Sequence, residues 1–252
     1  MDTRNLFEPS EVVSRRGGAV KQPLSRDAIV AEALEQLTRD GLGSMSLRKV
    51  AAALETGPAS LYVYVHDLDE LEALVFDRAL ARVGVRGAKP RDWRERVKGL
   101  LTSYLKVLAA SPGLAQLAFR RAAVGPNALR ITDTLLGEFA GAGVDRRTAA
   151  WAVDLLLLYV TAQGAEQGQR GNDPENDQFK PEGAVMRAIR GVSAQQYPHI
   201  HAAREELVSG PTQRVDWALD SILNGVAPAS RPEGRARPRE TKPARSKRRV
   251  GR

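Results

Sequence analysis

Cysteine is absent from the chain, and that closes several routes at once. No disulfide framework, thiolate metal site or cysteine nucleophile is available, and the composition fits a reducing cytoplasm. Histidine is scarce: His66, His199 and His201 are the three present. A zinc site wants several ligands at matched spacing, whereas His199 and His201 are two apart and point to different faces of a helix. Neither metal nor cofactor is expected. Aromatic residues make up 5% of the sequence, so the core has to rest on Leu, Val and Ala. The most apolar stretch, residues 149–162, is interrupted by Asp154. It falls short of the about 20 apolar residues that cross a bilayer and reads as a core helix. Residues 1–18 are polar and mixed in charge, without the apolar segment of a signal peptide. A Gly-rich phosphate loop, a serine nucleophile elbow and a His-Glu-x-x-His pair are also missing. Glu205 and Glu206 are adjacent on a helix, so their side chains diverge onto a solvated face. With no catalytic constellation, the expectation is a chain that is not an enzyme.

What the chain does have is 42% hydrophobic residues over 252 positions, enough for one large domain or two small ones. It also carries a net charge of +8. That charge is not spread: residues 228–252 hold ten Arg or Lys and two Glu, and the rest of the chain balances. The same 25 residues carry Pro228, Pro232, Pro238 and Pro243 and almost no large apolar side chain. They cannot offset their ordering entropy, which predicts a disordered basic tail. Residues 1–22 read as a flexible arm with Arg15, Arg16, Gly17 and Gly18. No internal repeat is evident at periods of about 20–50 residues.

Everything between reads as helix, and the fold class is all-α. Ser25 is an N-cap ahead of Ile29, Ala33 and Leu37, with Val30 and Leu34 beside them. Gly41 and Gly43 stop that helix. Ser46 caps a short second helix with Leu47, Val50, Ala51 and Leu54 on one face. Glu55-Thr56-Gly57 is a tight turn, and Pro58 opens a third helix expected to run through Leu61 and Val65. A fourth starts near Asp67 and carries Leu71, Leu74, Val75 and Ala79. After a break over residues 84–90, Val97, Leu100, Leu101, Tyr104, Leu105 and Leu108 form a stripe that ends at Ser111-Pro112-Gly113. Further helical windows are residues 126–140, 145–168, 182–208 and 211–224, with a loop over 171–181.

Two short helices joined by a three-residue turn make a helix-turn-helix candidate. The residues around it are more specific. Ser46-Leu47-Arg48-Lys49-Val50-Ala51-Ala52-Ala53-Leu54 is followed by Ser60-Leu61-Tyr62-Val63-Tyr64-Val65 and Asp69-Glu70-Leu71. This pattern resembles the DNA-binding domain of the tetracycline-repressor (TetR) family over residues 25–75. Residues 90–227 are similar to that family's ligand-binding and dimerisation domain in length and helical layout. The resemblance implies an N-terminal three-helix helix-turn-helix DNA-binding domain at residues 23–70, with its motif at 46–65. It also implies a helical effector-binding and dimerisation domain at 71–227.

A recognition helix in the major groove exposes its N-terminal side chains to base edges. Here these are Pro58, Ala59, Ser60 and Val63. Tyr62 and Tyr64 can bring hydroxyls to phosphates, Arg48 and Lys49 can reach backbone phosphates with their charged ends, and Ser46 and His66 complete the candidate DNA-binding set. The competing reading makes Tyr62 and Tyr64 packing aromatics and Arg48 a solvated charge. Glu55 departs from the family pattern, which has Gly in the turn; a side chain at positive φ there predicts a strained turn. His66 and Leu68 stand where basic residues often occur. Residues 1–70 hold eight basic and eleven acidic side chains, so no broad positive field covers this region. Without Arg, Asn or Gln on the recognition helix, readout rests on hydroxyl, methyl and shape contacts.

Residues 155–160 are apolar all round, so both faces of that helix need covering. Tyr104, Phe119, Phe139, Trp151 and Asp154 are candidates to line an apolar effector cavity. Asp154 is expected to pair with Arg147, with another Arg, or to face a polar pocket. Leu155, Tyr159, Trp217 and Leu223 are candidates for the dimer interface that the resemblance implies, with intramolecular packing as the alternative. The expected function is a cytoplasmic, homodimeric transcriptional repressor. Its partners would be double-stranded operator DNA and a small-molecule effector of unknown identity, with no membrane contact. Two rivals stand beside it: an architectural protein that binds DNA without sequence preference through the basic tail, and an α-helical protein without DNA function.

Overall fold

Ser25 sits in extended backbone, and its hydroxyl accepts the Ala28 N–H at 3.1 Å, so helix α1 spans Arg26–Asp40. Its apolar repeat buries Ile29, Val30, Ala33, Leu34 and Leu37. Gly41, at φ 77°, ends it where any side chain would be strained. A 3-10 turn over Leu42–Ser44 leads to Ser46, whose hydroxyl caps α2 (Leu47–Ala53). Then come α3 (Pro58–Leu61) and α4 (Leu68–Leu80), the latter capped by Asp67, which accepts the Glu70 N–H at 2.7 Å. The computed structural model describes residues 24–84, 92–111, 113–120, 124–172, 183–208 and 211–227, and all its regular elements are helical.

The remaining helices are α5 (Trp93–Ala109), α6 (Leu114–Arg120), α7 (Pro126–Gly141), α8 (Arg146–Asn172), α9 (Ala184–Arg190), α10 (Pro198–Ala202), α11 (Arg204–Leu207) and α12 (Pro211–Val226). α5 and α8 form the most extensive pair, and α8 also packs on α6, α7 and α12. By length and hydropathy alone α8 could cross a membrane. Here one face of it is the centre of the body. Gly164 makes the α5 contact possible, since a Cβ there would lie 2.8 Å from the Leu108 Cβ. α4 touches α1 on one side and α5, α6 and α7 on the other, so it joins the N-terminal helices to the body. The buried apolar side chains form one cluster, from Ile29 in α1 to Leu223 in α12.

The all-α class and most helix positions agree with the sequence reading. Three differences have physical causes. α3 stops at Leu61 instead of reaching Val65; aromatic and β-branched residues at 62–65 lose rotamer freedom in a helix, and a turn replaces it. The window 182–208 is three short helices instead of one. Gly191 ends α9 and Pro198 opens α10, and a residue before proline disfavours helical backbone. α6, two turns long, was not expected; Gly113, at φ 85°, precedes it, and its carbonyl accepts the Leu117 N–H at 2.9 Å. The arm at 1–22, the tail at 228–252, and most of the break at 84–90 and of the loop at 171–181 lie outside the described residues.

Candidate nucleic-acid interface

The turn after α2 is closed by two backbone hydrogen bonds. Thr56 N–H donates to the Ala51 carbonyl at 2.9 Å and Glu55 N–H to the Ala52 carbonyl at 3.0 Å. This crossed pair is the Schellman pattern, which places the residue before its end in the left-handed region. That residue is Glu55, at φ 48°, the one non-glycine with positive φ among the described residues. The strained turn expected from the sequence is present. Gly57 then leads into α3 with Pro58 at its first position.

α3 and the turn after it divide into two faces. Leu61 and Val65 are fully buried and hold the segment on its neighbours. Pro58 and Ala59 are exposed, Ser60 is half-buried, and Tyr62 and Val63 are 55% and 61% exposed. Large apolar surface held in water on a short, well-anchored segment calls for a partner. Arg48 and Lys49 are exposed near the start of α2, while the Ser46 hydroxyl is engaged by the Lys49 N–H at 3.2 Å. Tyr64 differs from expectation. It is 6% exposed, packed into the core beside Leu61 and Val65, and it leaves the candidate contact face. Tyr64 thus packs as the competing reading has it, while Tyr62 stands exposed on the candidate contact face.

The anchor of this segment is a residue the sequence reading passed over. Glu70 on α4 is 1% exposed and binds two other elements. Its Oε2 accepts the His66 N–H at 2.6 Å and faces the His66 Nδ1 at 2.6 Å. Its Oε1 pairs with the Arg26 guanidinium at the start of α1. Burial pushes its carboxyl up, but the hydrogen bonds from the His66 backbone, the His66 ring and Arg26 outweigh it and hold the group below its ordinary range. One carboxylate thus ties the end of the recognition segment to α1 and α4. The His66 ring is otherwise exposed. The signal available in sequence was a carboxylate four residues after His66, followed by an apolar run.

The far half of α4 is fixed to the body by reciprocal capping. Asp77, buried, accepts the N–H groups of Asn127 and Ala128, both at 3.0 Å, and the Asn127 side-chain amide at 2.9 Å. It thereby caps α7. In return Arg130 of α7 donates to the Leu80 and Val83 carbonyls at the end of α4, at 3.4 and 3.1 Å. Gly125 allows this approach, since a Cβ would fall 2.2 Å from the Asp77 carboxyl.

The five proposed cavity residues separate. Tyr104 is buried, its hydroxyl 3.3 Å from the Thr161 hydroxyl across the α5–α8 contact, and burial pushes its phenol up. Phe139 is fully buried with the Trp93 ring edge-on at 5.5 Å. Phe119, Trp151 and Asp154 are exposed. The cause in α8 is its helical period. Ala149, Ala152, Val153, Leu156 and Val160 turn inward, which leaves Trp151, Asp154, Leu155 and Leu158 outward. Asp154 therefore needs no buried partner, and Arg147 lies over the Trp151 ring at 5.8 Å instead. Of the four interface candidates, Leu155 and Trp217 are exposed, Trp217 by 70%, and Tyr159 is half-buried. Leu223 is fully buried between α12 and the body, so its role is intramolecular. Among the described residues no cluster of three metal-ligating side chains occurs.

Comparison with known proteins adds to this geometry. Residues 86–229 match the family described as "Tetracyclin repressor-like, C-terminal domain", the part whose likeness in sequence lay only in length and layout. An HTH-type transcriptional regulator of Saccharopolyspora erythraea is 33% identical over 140 residues, 56% of this chain and 59% of that protein. The HTH-type transcriptional repressor DrrR1 of Streptomyces coeruleorubidus is 30% identical over 214 residues, 82% of this chain and 78% of that protein. The structure of the TetR family protein ActR from Streptomyces coelicolor, solved with actinorhodin, superposes with a TM-score of 0.73 at 31% identity, covering 81% of this chain and 97% of that one.

Proposed function

The chain belongs to the TetR family of helix-turn-helix transcriptional regulators, and on that premise we propose that it is a cytoplasmic homodimeric repressor released from operator DNA by a small molecule. The observation that carries the reading is the face of Pro58, Ala59, Ser60, Tyr62 and Val63, held outward by buried Leu61 and Val65. In this reading Pro58, Ala59, Ser60 and Val63 meet base edges and the T methyl group, while Tyr62, Arg48, Lys49 and His66 meet phosphates. A second copy covers the apolar stripe of Trp151, Leu155 and Leu158 on α8 together with Trp217 on α12. Residues 23–70 form the DNA-binding head and 71–227 the body.

The effector site would lie between α5 and α8, where the Tyr104 and Thr161 hydroxyls meet inside apolar surroundings. ActR, which holds actinorhodin, supports a small-molecule effector. α4 is the coupling element, since Glu70 ties it to the recognition segment and Asp77 to the body. An effector acts only through a difference in affinity between head arrangements that do and do not match successive major grooves. The direct test is Tyr62→Ala. Loss of one phosphate contact and of the positioning it gives should weaken operator binding about 5–150-fold, with helix content and melting unchanged. Operator affinity equal to that of the unsubstituted protein would refute the assignment of this face.

A further inference from the structure

A groove at the junction of head and body carries features that operator binding does not use. It consists of two adjoining hollows, about 240 and 490 Å³, that share Leu34 and Arg82. One runs between α1 and α4, lined by Ala31, Leu34, Thr38 and Arg39. The other reaches α5 and α6, with Ala79, Val107 and Leu114 as an apolar floor beside Ser103 and Ser111, whose hydroxyls meet the Gly84 N–H at 3.1 Å and the Thr38 hydroxyl at 3.2 Å. The larger hollow falls in the size range of small-molecule sites, about 300–1,000 Å³, and the smaller falls short of it alone. The rim is one-sided in charge. Arg39, Arg78, Arg82 and Lys106 line it against a single carboxylate, Glu35. Arg39 is engaged by Asp40, and Arg78 by exposed Asp27. Arg82 and Lys106 have no carboxylate within ion-pair distance among the described residues.

The groove is not an extension of the DNA face. Arg78 stands eight residues along α4 from Glu70, about 12 Å of helix, and the lining reaches α5 in the body. We propose that this groove is a second ligand site, distinct from the α5–α8 interior, for an amphipathic anion. The ligand would be a carboxylate, sulfonate or phosphate monoester on an apolar ring or chain. The apolar part lies on Leu34, Ala79, Val107 and Leu114, and the anionic group meets Arg82 and Lys106. Both cations are exposed at the rim, so they bind the anion without a large desolvation cost. An occupant touches α1 and α5 together, so its binding is linked to the spacing of head and body to the extent that its affinity differs between their arrangements.

The test uses a matched pair of probes, anilinonaphthalene sulfonate and its neutral counterpart phenylnaphthylamine, read by fluorescence on the full chain. The unsubstituted protein binds the sulfonate more tightly than the neutral probe, and this preference falls with salt. Arg82→Glu with Lys106→Glu lowers sulfonate affinity by about tenfold and leaves the neutral probe unchanged. Arg82→Gln with Lys106→Gln gives a smaller loss of the same kind and guards against a folding defect in the first pair. An unchanged ratio of the two affinities in either folded variant overturns the proposal, as does an equal loss for both probes. No DNA enters the measurement, so its outcome is independent of the operator reading.

Discussion

Asp77→Ala tests the link between head and body most sharply, and its cost follows from the geometry. The carboxylate accepts two N–H groups at the start of α7 and one side-chain amide. Losing an N-terminal cap costs about 0.5–2 kcal/mol, and a buried donor left without a partner costs about 1–3 kcal/mol. The two estimates overlap because the cap is those same hydrogen bonds, so the expected loss is about 1–3 kcal/mol. For a chain of this size each kcal/mol moves the melting temperature by about 2–4 °C, which gives a fall of about 2–12 °C. Asp77→Asn keeps an acceptor in place and should lose less than half as much. Gly125→Ala should act in the same direction as Asp77→Ala, because its Cβ would displace the Asp77 carboxyl. Thermal unfolding followed by circular dichroism is sufficient. A melting point for Asp77→Ala within a degree of the unsubstituted protein, or Asp77→Asn as damaging as Asp77→Ala, would refute the capping argument.

Three further outcomes are expected. Glu55→Gly relieves a left-handed side chain at φ 48°; the strain removed, about 1–2 kcal/mol, exceeds the added unfolded-state entropy of about 0.5–1 kcal/mol, so denaturant melts should show a modest gain, and a loss would contradict the strained turn. Glu70 is held below its ordinary value of 4.5, so its contribution to stability is present above that pH and is lost as pH falls through the folded value. Acid titrations of stability should therefore be flatter below pH 4.5 in Glu70→Gln, which should also be less stable at neutral pH, and a curve parallel to that of the parent protein would exclude the clamp. Removing residues 228–252 should flatten the salt dependence of DNA binding, each lost phosphate contact removing about 0.9 from the slope of log K against log salt; the preferred site should stay the same, and an unchanged slope would deny the tail a DNA role.

The sequence was informative where a local rule decides the structure. Ser25, Ser46 and Pro58 announce helix starts by their own chemistry, and each stands at the start of its helix. At Glu55 the expectation of positive φ came from the family resemblance, which places glycine at that turn, and the residue sits at φ 48°. Tyr62 and Tyr64 were not distinguishable, because α3 ends between Leu61 and Tyr62 and the turn that follows sends the two rings in different directions. In α8 an apolar run with no polar face hides its phase, so Trp151 and Asp154 could be placed only once the inward side of that helix was fixed by α5, α6 and α7. Glu70 and Asp77 were silent for a related reason. A buried carboxylate and an exposed one look alike in sequence; His66, four residues before Glu70, was the one near partner, while Arg26 and Asn127 lie 44 and 50 positions from Glu70 and Asp77.

The central claim is that this protein reads a specific site with two copies of the segment around α3, and selection from a random DNA pool by the full-length protein tests it directly. The account predicts enrichment of one palindromic sequence whose half-sites are about one helical turn, 10–10.5 base pairs, or a multiple of it apart, and loss of that enrichment with Tyr62→Ala. Retention of DNA without any enriched sequence, abolished by removing residues 228–252, would contradict it and establish binding through the basic tail alone.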